Sequence, residues 1–390
     1  DLFALDIQKP EPLHEVVVEV PGRLSARGVE LSPLAIDEII GKAKIVLERG
    51  VEVACVALLH SDLNPEMEQN LAECLIQLGF RDVVTSSAVS ARVHFGHRAE
   101  TALVDAYLLP IMDAYLNHVQ SGLGDAARLR VMTSAGGLVE RGQFRAKDSL
   151  LSGPASGVVG AAGAGHQVGW TRVLAFDMGG TSTDVSRYDG EFLYQSEQQV
   201  GEASLQGTAL RIEPVAAGGG SICCMDRGVL KVGPESAGAS PGPACYGAGG
   251  PLTLTDVQLL LGRMDPAQFA IPLDVSAAHL ALEQFLESNA LNVETPDVYL
   301  DGFLQIANER MANAIRVISL REGHDPAEYA LVAFGGAGGL HACSLADLLG
   351  VDQVLVPRDA GILSARGLQL ATLEGVDERQ VLKRWKTIAD

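Results

Sequence analysis

The six cysteines, Cys55, Cys74, Cys223, Cys224, Cys245 and Cys343, form no Cys-x-x-Cys pair and show no His spacing of a zinc site, so they are expected to be mostly buried thiols in a reducing cytoplasm. No apolar run approaches the roughly 20 residues of a membrane helix, and no charged-then-apolar segment opens the chain, which points to a cytoplasmic protein. Basic residues are the minority: 29 Lys and Arg against 49 Asp and Glu give a formal charge of -20. A phosphate backbone is bound by surplus Lys and Arg, and no basic stripe is present, so neither nucleic acid nor an anionic membrane is an expected partner. An anionic small molecule stays open, because a glycine-rich turn of N–H groups binds phosphate whatever the overall charge. There is no repeat of fixed period. The chain opens on Asp1 rather than Met and is expected to be an internal piece of a longer one.

What is present is a globular α/β composition, 47% hydrophobic and 20% charged with 43 glycines. At 390 residues the chain exceeds the usual ceiling for one core, so two lobes are expected. Residues 1–33 read as a connector, with Glu15–Val20 an edge strand. From Pro33 the spacing of Ile36, Ile39, Ile40, Ala43 and Leu47 predicts a helix ending before Gly50, then a buried strand over Val51–Leu59 and a helix from Asn64-Pro65 to Gly79. A strand near Val83-Val84, a helix over about 98–119 and a strand at Leu129–Thr133 continue βαβ wiring with a parallel sheet. The alternation restarts at Val173–Asp177 and continues through Ala330–Phe334 and Val354–Val356. The expected divisions are 1–33, 34–169, 170–372 and a C-terminal start at 373–390. Between the lobes, Ser152–Gly165 is almost all small residues and is expected to form a helix that another can cross closely, rather than a flexible linker.

Three glycine-rich stretches carry the chemistry. Asp177-Met178-Gly179-Gly180-Thr181-Ser182-Thr183-Asp184 follows an apolar strand and precedes a returning one. Gly179 and Gly180 let backbone approach a phosphate, Thr181 and Thr183 offer hydroxyl donors, Asp177 can hold Mg²⁺, and Asp184 can orient a nucleophile or a metal-bound water. An ordinary hairpin whose Asp and Thr satisfy their own backbone is the alternative. Phe334–His341 is a strand-to-helix turn in which Gly335, Gly336 and Gly338 could line a nucleotide, although tight packing demands the same residues. Ala216–Ser221, with Gly219, Gly220 and Ser221 as the substrate candidates, opens a third run, continued by Val232–Ala239 and Pro241–Gly247, that fits either a substrate loop or a turn-rich connection. His341 is read as a capping or packing residue, Cys245 and Cys343 as buried thiols, and the helix from Pro296 to about Leu320 as core.

Taken together, these features resemble the actin, sugar-kinase and heat-shock-chaperone superfamily of ATPases. Within it the chain is similar to the hydantoinase A/5-oxoprolinase family. The resemblance is carried by Asp177–Gly190, Ser152–Gly160, Ala216–Ser221, Val232–Gly247 and Phe334–Ala342, with Leu2-Phe3, Pro10-Glu11-Pro12, His60–Pro65 and Pro357–Ala365. Asp184–Tyr188, Val215–Gly218 and His341-Ala342-Cys343 look most like the 5-oxoprolinase branch. The chain departs from the family at Glu213, where relatives more often carry His, at Ala135, usually polar in relatives, and in having no Asp-x-Gly-Gly-Thr hairpin before Asp177.

The resemblance implies two actin-like ATPase lobes flanking a nucleotide cleft, the first incomplete, with ATP and Mg²⁺ as cofactors. It implies ATP-driven opening of a small cyclic amide such as 5-oxoproline, a reaction of glutathione metabolism, by phosphorylation of the carbonyl oxygen. A hydantoinase B-type subunit or fused domain, and a homo- or hetero-oligomer, are the implied partners. Hydantoin hydrolysis and ketone carboxylation are the rivals within the family, and a nucleotide-binding regulatory module without turnover is the rival outside it.

Overall fold

The computed structural model describes residues 5, 11–124, 126–201, 203–269, 271–291, 295–376, 378 and 381. Leu2-Phe3, Pro10 and residues 382–390 lie outside them. The described residues group into two compact units: unit 1 contains those up to Ser152 with Tyr194–Ala209 and those from Thr372, and unit 2 contains Gly153–Leu193 and Leu210–Ala371.

Unit 1 begins with the antiparallel pair β1 (Arg23–Leu24) and β2 (Glu30–Ser32). It continues through α1 (Ile36–Glu48), β3 (Val53–Val56), α2 (Glu66–Leu78), β4 (Asp82–Thr85), the one-turn α3 (Ser86–Val89) and the long α4 (Phe95–Leu123). Strands β5 (Arg130–Met132) and β6 (Leu138–Glu140) form a hairpin. The apolar face of α1 buries Ile39 and Ala43 against Val56, Leu71, Leu75 and Phe80. Asn64 Oδ1 accepts the Glu66 N–H at 3.1 Å at the start of α2, and Gly79 ends that helix at φ +120°. The expected strand at Glu15–Val20 does not form: among the described residues no strand pairs with the segment, and although Val20 packs against the unit 1 core, Val17 is 69% exposed.

Strands β3 and β4 are parallel, from Val53 opposite Asp82 to Val56 opposite Thr85. Just past their carboxyl ends lies a buried polar cluster. Glu68, fully buried, accepts from the N–H groups of Leu58 and Ser87 and from the hydroxyls of Ser61, Ser86 and Ser87, all within 2.6–2.8 Å. Arg98, 1% exposed, donates to Ser86, Ser61, Asp62 and the carbonyls of Leu58 and Arg92. Every charge in this cluster has partners.

Unit 2 opens with α5 (Ser152–Gln167), β7 (Arg172–Met178) and β8 (Thr183–Asp189). The chain then adds the hairpin β9 (Tyr194–Val200) and β10 (Ala203–Leu210), most of which belongs to unit 1. Next come β11 (Glu213–Val215), the hairpin β12 (Ser221–Asp226) and β13 (Val229–Ser236), and helices α6 (Leu254–Leu260), α7 (Val275–Ser288) and α8 (Asp297–Ile318). Finally β14 (Ala330–Phe334), α9 (Gly338–Leu349), β15 (Val354–Leu355) and α10 (Leu363–Leu370) complete it.

The central sheet has the order β11-β8-β7-β14-β15, with β14 parallel to β7 and β15, and β8 antiparallel to β7 and β11. Strand β7 alternates between two cores: Leu174, Phe176 and Met178 pack with Phe303, Met311 and Ile315 of α8, while Val173 and Ala175 pack with Ala161 and Ala162 of α5 and Leu363 of α10. Helix α5, assigned above to the first lobe, therefore groups with unit 2. Its glycines admit α10: a Cβ on Gly160 would sit 2.6 Å from the Leu363 carbonyl, and the Ser156 hydroxyl donates to the Ser364 carbonyl. The close helix crossing expected from the small residues is present. Among the described residues no helix is long and apolar enough to cross a membrane.

Candidate functional site

Between β7 and β8, Gly179–Ser182 makes a four-residue turn closed by the Gly179 N–H on the Ser182 carbonyl at 3.0 Å. The register places Asp177 directly opposite Asp184 and Phe334 beside Asp177, so the end of β14 delivers the Gly335 turn to the same spot. Ala337 fixes that turn by donating its N–H to the Met178 carbonyl at 3.0 Å. Gly335 has φ +79°, and a Cβ there would collide with Asp177 Oδ1 and the Met178 carbonyl, so only glycine lets the two segments approach.

A second brace comes from the triple-glycine loop. The Gly219 N–H donates to the Gly179 carbonyl at 3.0 Å and the Gly220 N–H to the Gly180 carbonyl at 2.6 Å. A Cβ on Gly218 would land 2.6–2.7 Å from the backbone of Gly180, Thr181 and Ser182. All three glycine-rich stretches therefore converge within unit 2. With its carbonyls so engaged, the first turn keeps its N–H groups: those of Gly180, Thr181 and Ser182 meet no acceptor among the described residues. The N–H groups of Gly336 and Gly339 are likewise without one, and both residues are exposed. Clustered unpaired N–H groups on glycine turns are suited to phosphate oxygens.

The carboxylates complete the picture. Burial, then repulsion from Asp184, pushes the Asp177 carboxyl up to about 6, and burial raises Asp184 as well. Among the described residues neither receives a hydrogen bond or an ion pair. No cluster of three or more His, Cys, Asp or Glu able to hold a metal occurs there either. Two facing, half-buried, unpartnered carboxylates nevertheless suit Mg²⁺, which takes one or two protein carboxylates and fills its remaining positions with phosphate oxygens and water.

Of the residues expected from sequence, the structure gathers Asp177, Asp184, Gly179, Gly180, Thr181, Gly335 and Gly336 around the two turns, whereas Gly338, expected to line the nucleotide, is buried against the backbone of Phe176 and Ala333. Thr183 is a correction: it is fully buried and its hydroxyl donates to the Ala217 carbonyl at 2.6 Å, so it supports the turn from below. Gly219, Gly220 and Ser221 are a second correction. They are buried, the two glycine N–H groups are engaged by the turn, and the Ser221 hydroxyl accepts the Gly218 N–H at 2.8 Å, so their polar groups brace the turn. Glu213 pairs with Val185 in the sheet ladder.

Several supporting residues had no signal in the sequence. Thr255, on α6, sends both its N–H and its hydroxyl to the Gly219 carbonyl at 2.8 Å. Asp256, fully buried beside it, accepts from the Ala244, Cys245 and Thr253 N–H groups and the Thr253 hydroxyl, which folds the Pro241–Gly247 run onto α6. His341 is 2% exposed, with Nδ1 2.7 Å from Asn308 Oδ1 and Nε2 3.2 Å from Gln258 Nε2. Burial, aided by Arg263, pushes it down to about 4, so Nδ1–H donates to Asn308 and Nε2 accepts from Gln258. It is a packing residue, as expected. Burial raises the thiols of Cys223 and Cys245 and pushes Cys55 up to about 12, whereas Cys343 is exposed, contrary to expectation, because it lies on the outer face of α9.

Residues 98–375 match the hydantoinase/oxoprolinase family model, and residues 1–79 match that of the hydantoinase/oxoprolinase N-terminal region. The chain belongs to the hydantoinase/oxoprolinase family. It is 37% identical to the 5-oxoprolinase of Saccharomyces cerevisiae over 97% of its own length and 33% of that protein. It is 33% identical to the caprolactamase subunit alpha of Pseudomonas jessenii over 91% of its length and 52% of that subunit. The nucleotide-free structure of acetone carboxylase, described as an ATP-dependent carboxylation enzyme, superposes with a TM-score of 0.77 at 25% identity, over 90% of this chain and 51% of that one. The chain thus spans about a third of the length of the 5-oxoprolinases it matches.

Proposed function

We propose that this chain carries the ATP-dependent activation step in the hydrolysis of a cyclic amide, with 5-oxoproline as the substrate. The observation that carries the reading is the meeting of two unpaired carboxylates with two turns of free N–H groups, a combination matched to a nucleotide phosphate and its cation. The names of the relatives support it: a 5-oxoprolinase and a caprolactamase subunit alpha are both named for a lactam.

A lactam carbonyl is a poor electrophile because the ring nitrogen donates into it. In the proposed reaction the carbonyl oxygen attacks the γ-phosphorus and ADP departs, leaving a phosphorylated imidate. Water adds to its carbon, the ring C–N bond breaks with the proton going to nitrogen, and a second water releases phosphate from the resulting acyl phosphate. Gly180, Thr181 and Ser182 hold phosphate oxygens through their N–H groups, Gly335 and Gly336 line the nucleotide, and Asp184 orients the attacking group. Asp177 would hold Mg²⁺, which supplies charge neutralisation on the phosphates. Positioning and charge stabilisation do most of the work. Completion of ring opening is assigned to a hydantoinase B-type subunit or segment, by analogy with a relative that is itself named as one subunit.

Ketone carboxylation is the second reading, favoured by the likeness to acetone carboxylase, because a ketone is activated through the same carbonyl oxygen. The test is ADP release from Mg-ATP by the chain with its hydantoinase B-type partner, with 5-oxoproline, caprolactam, hydantoin or acetone plus bicarbonate. Stimulation by 5-oxoproline that disappears in Asp177→Ala is expected. Stimulation by acetone alone would move the assignment to carboxylation, and tight nucleotide binding with no stimulation would make the chain a regulatory module.

A further inference from the structure

Unit 1 contains a cavity of about 510 Å³, in the range of small-molecule sites. It begins at Ser87, directly after the carboxyl end of β4 in the parallel β3–β4 pair, and that end of a parallel sheet is where α/β folds hold their ligands. The buried Glu68 cluster grips Ser87 through both its N–H and its hydroxyl, so this wall is rigid before any ligand arrives.

The charges around the cavity cancel in a telling way. Lys147 pairs with Asp148 at 2.6 Å. Glu378 is held by both Nε and Nη2 of Arg92 at 2.9 Å and by the Thr208 hydroxyl. Two charged residues of the lining then remain, Arg145 and Glu374, and among the described residues neither is in an ion pair, Arg145 feeling only the more distant attraction of Asp105. Both are anchored through other groups. Arg145 Nη2 donates to the Ala88 carbonyl at 3.3 Å, and Glu374 donates its N–H to Leu138 at 3.0 Å while Oε1 takes the Thr372 hydroxyl at 3.1 Å. Gly137 lies against this carboxylate so closely that a Cβ there would sit 2.7 Å from Oε2.

A lining with one unpaired cation and one unpaired anion discriminates by charge. A ligand with only anionic groups faces Glu374, one with only cationic groups faces Arg145, and a neutral apolar one leaves both without a partner. A molecule that carries both an ammonium and a carboxylate meets both. Lactam hydrolysis makes such a molecule every time: breaking the ring C–N bond leaves a carboxylate on the carbon and an ammonium on the nitrogen of one chain. We propose that this cavity is a binding site for the amino acid released by lactam opening. The assignment rests on the lactam reading of the function above.

The test is calorimetric titration of the full chain, without nucleotide, with L-glutamate and with 6-aminohexanoate. Glutarate, which lacks the ammonium, and 5-oxoproline, whose nitrogen is not basic, are the controls. Wild type is expected to bind at least one of the amino acids at least tenfold more tightly than either control, and Arg145→Gln and Glu374→Gln are each expected to weaken that binding at least tenfold. Both are exposed residues outside the nucleotide turns, so basal ADP release in both variants should match wild type and report an intact fold. No binding by wild type, or equal binding by both variants, overturns the site. Lactam-stimulated ADP release without amino-acid binding removes the site and keeps the function, whereas charge-dependent amino-acid binding without lactam stimulation keeps the site and removes the function.

Discussion

The two units each carry a cluster built on acidic residues withdrawn from solvent, fully at Glu68 and by half at Asp177 and Asp184, and the clusters are built in opposite ways. In unit 1, Glu68 accepts from five protein donors and Arg98 donates to five acceptors, so no capacity is left over. In unit 2, Asp177 and Asp184 face each other with no protein donor among the described residues. A saturated cluster is a structural rivet. An unsaturated one stores unfavourable free energy that a ligand can release, which is the physical mark of a functional site.

Substitution should separate the two clusters most sharply. Asp177→Ala is expected to lower substrate-stimulated ADP release on the order of a thousandfold while leaving the urea midpoint no lower than wild type. Glu68→Ala should do the reverse: stranding Arg98 in the core is expected to cost about 3–5 kcal/mol of unfolding free energy, read from urea denaturation, with no separate effect on nucleotide affinity in the molecules that stay folded. A large activity loss from Glu68 at full stability would erase the distinction.

Gly335→Ala probes the close approach of the two turns. The positive φ and the collision with Asp177 should cost about 1–3 kcal/mol, and the displaced turn should raise the KM for ATP. The smallest effect is on pH dependence. The folded chain holds the Asp177 proton more tightly than the unfolded chain, at about 6 against an ordinary 3.8. Its contribution therefore favours folding most at the acid end and is lost as pH rises through 6. Asp177→Asn should flatten that slope and raise the melting temperature at neutral pH by about 2–4 °C, the partial exposure of the group limiting the gain.

Much of this site could be read from the chain because its parts are contiguous. Asp177 and Asp184 flank one turn, and strand periodicity on either side announces the hairpin that sets them face to face. The Gly335 turn is visible for the same reason. What escaped was tertiary. Thr183 looks like a free hydroxyl until the Ala217 carbonyl, 34 residues away, accepts its hydrogen bond. Gly219 and Gly220 look like a substrate loop until their N–H groups are found on the carbonyls of Gly179 and Gly180. Thr255, Asn308 and Gln258 reach the site region from helices with no motif of their own. Glu15–Val20 has strand composition and lacks only a partner, a fact that no local pattern records.

The most direct test of the central claim, that the unpaired Asp177–Asp184 pair awaits a cation and a nucleotide phosphate, is the proton balance of Mg-ADP binding at pH 6. Calorimetry in buffers of different ionisation enthalpy measures it. Binding should release protons from wild type, because Asp177, held up to about 6, must ionise to hold the cation, and this release should fall in Asp177→Asn. Equal proton release from the two proteins, or Mg-ADP affinity unchanged by the substitution, would contradict the account.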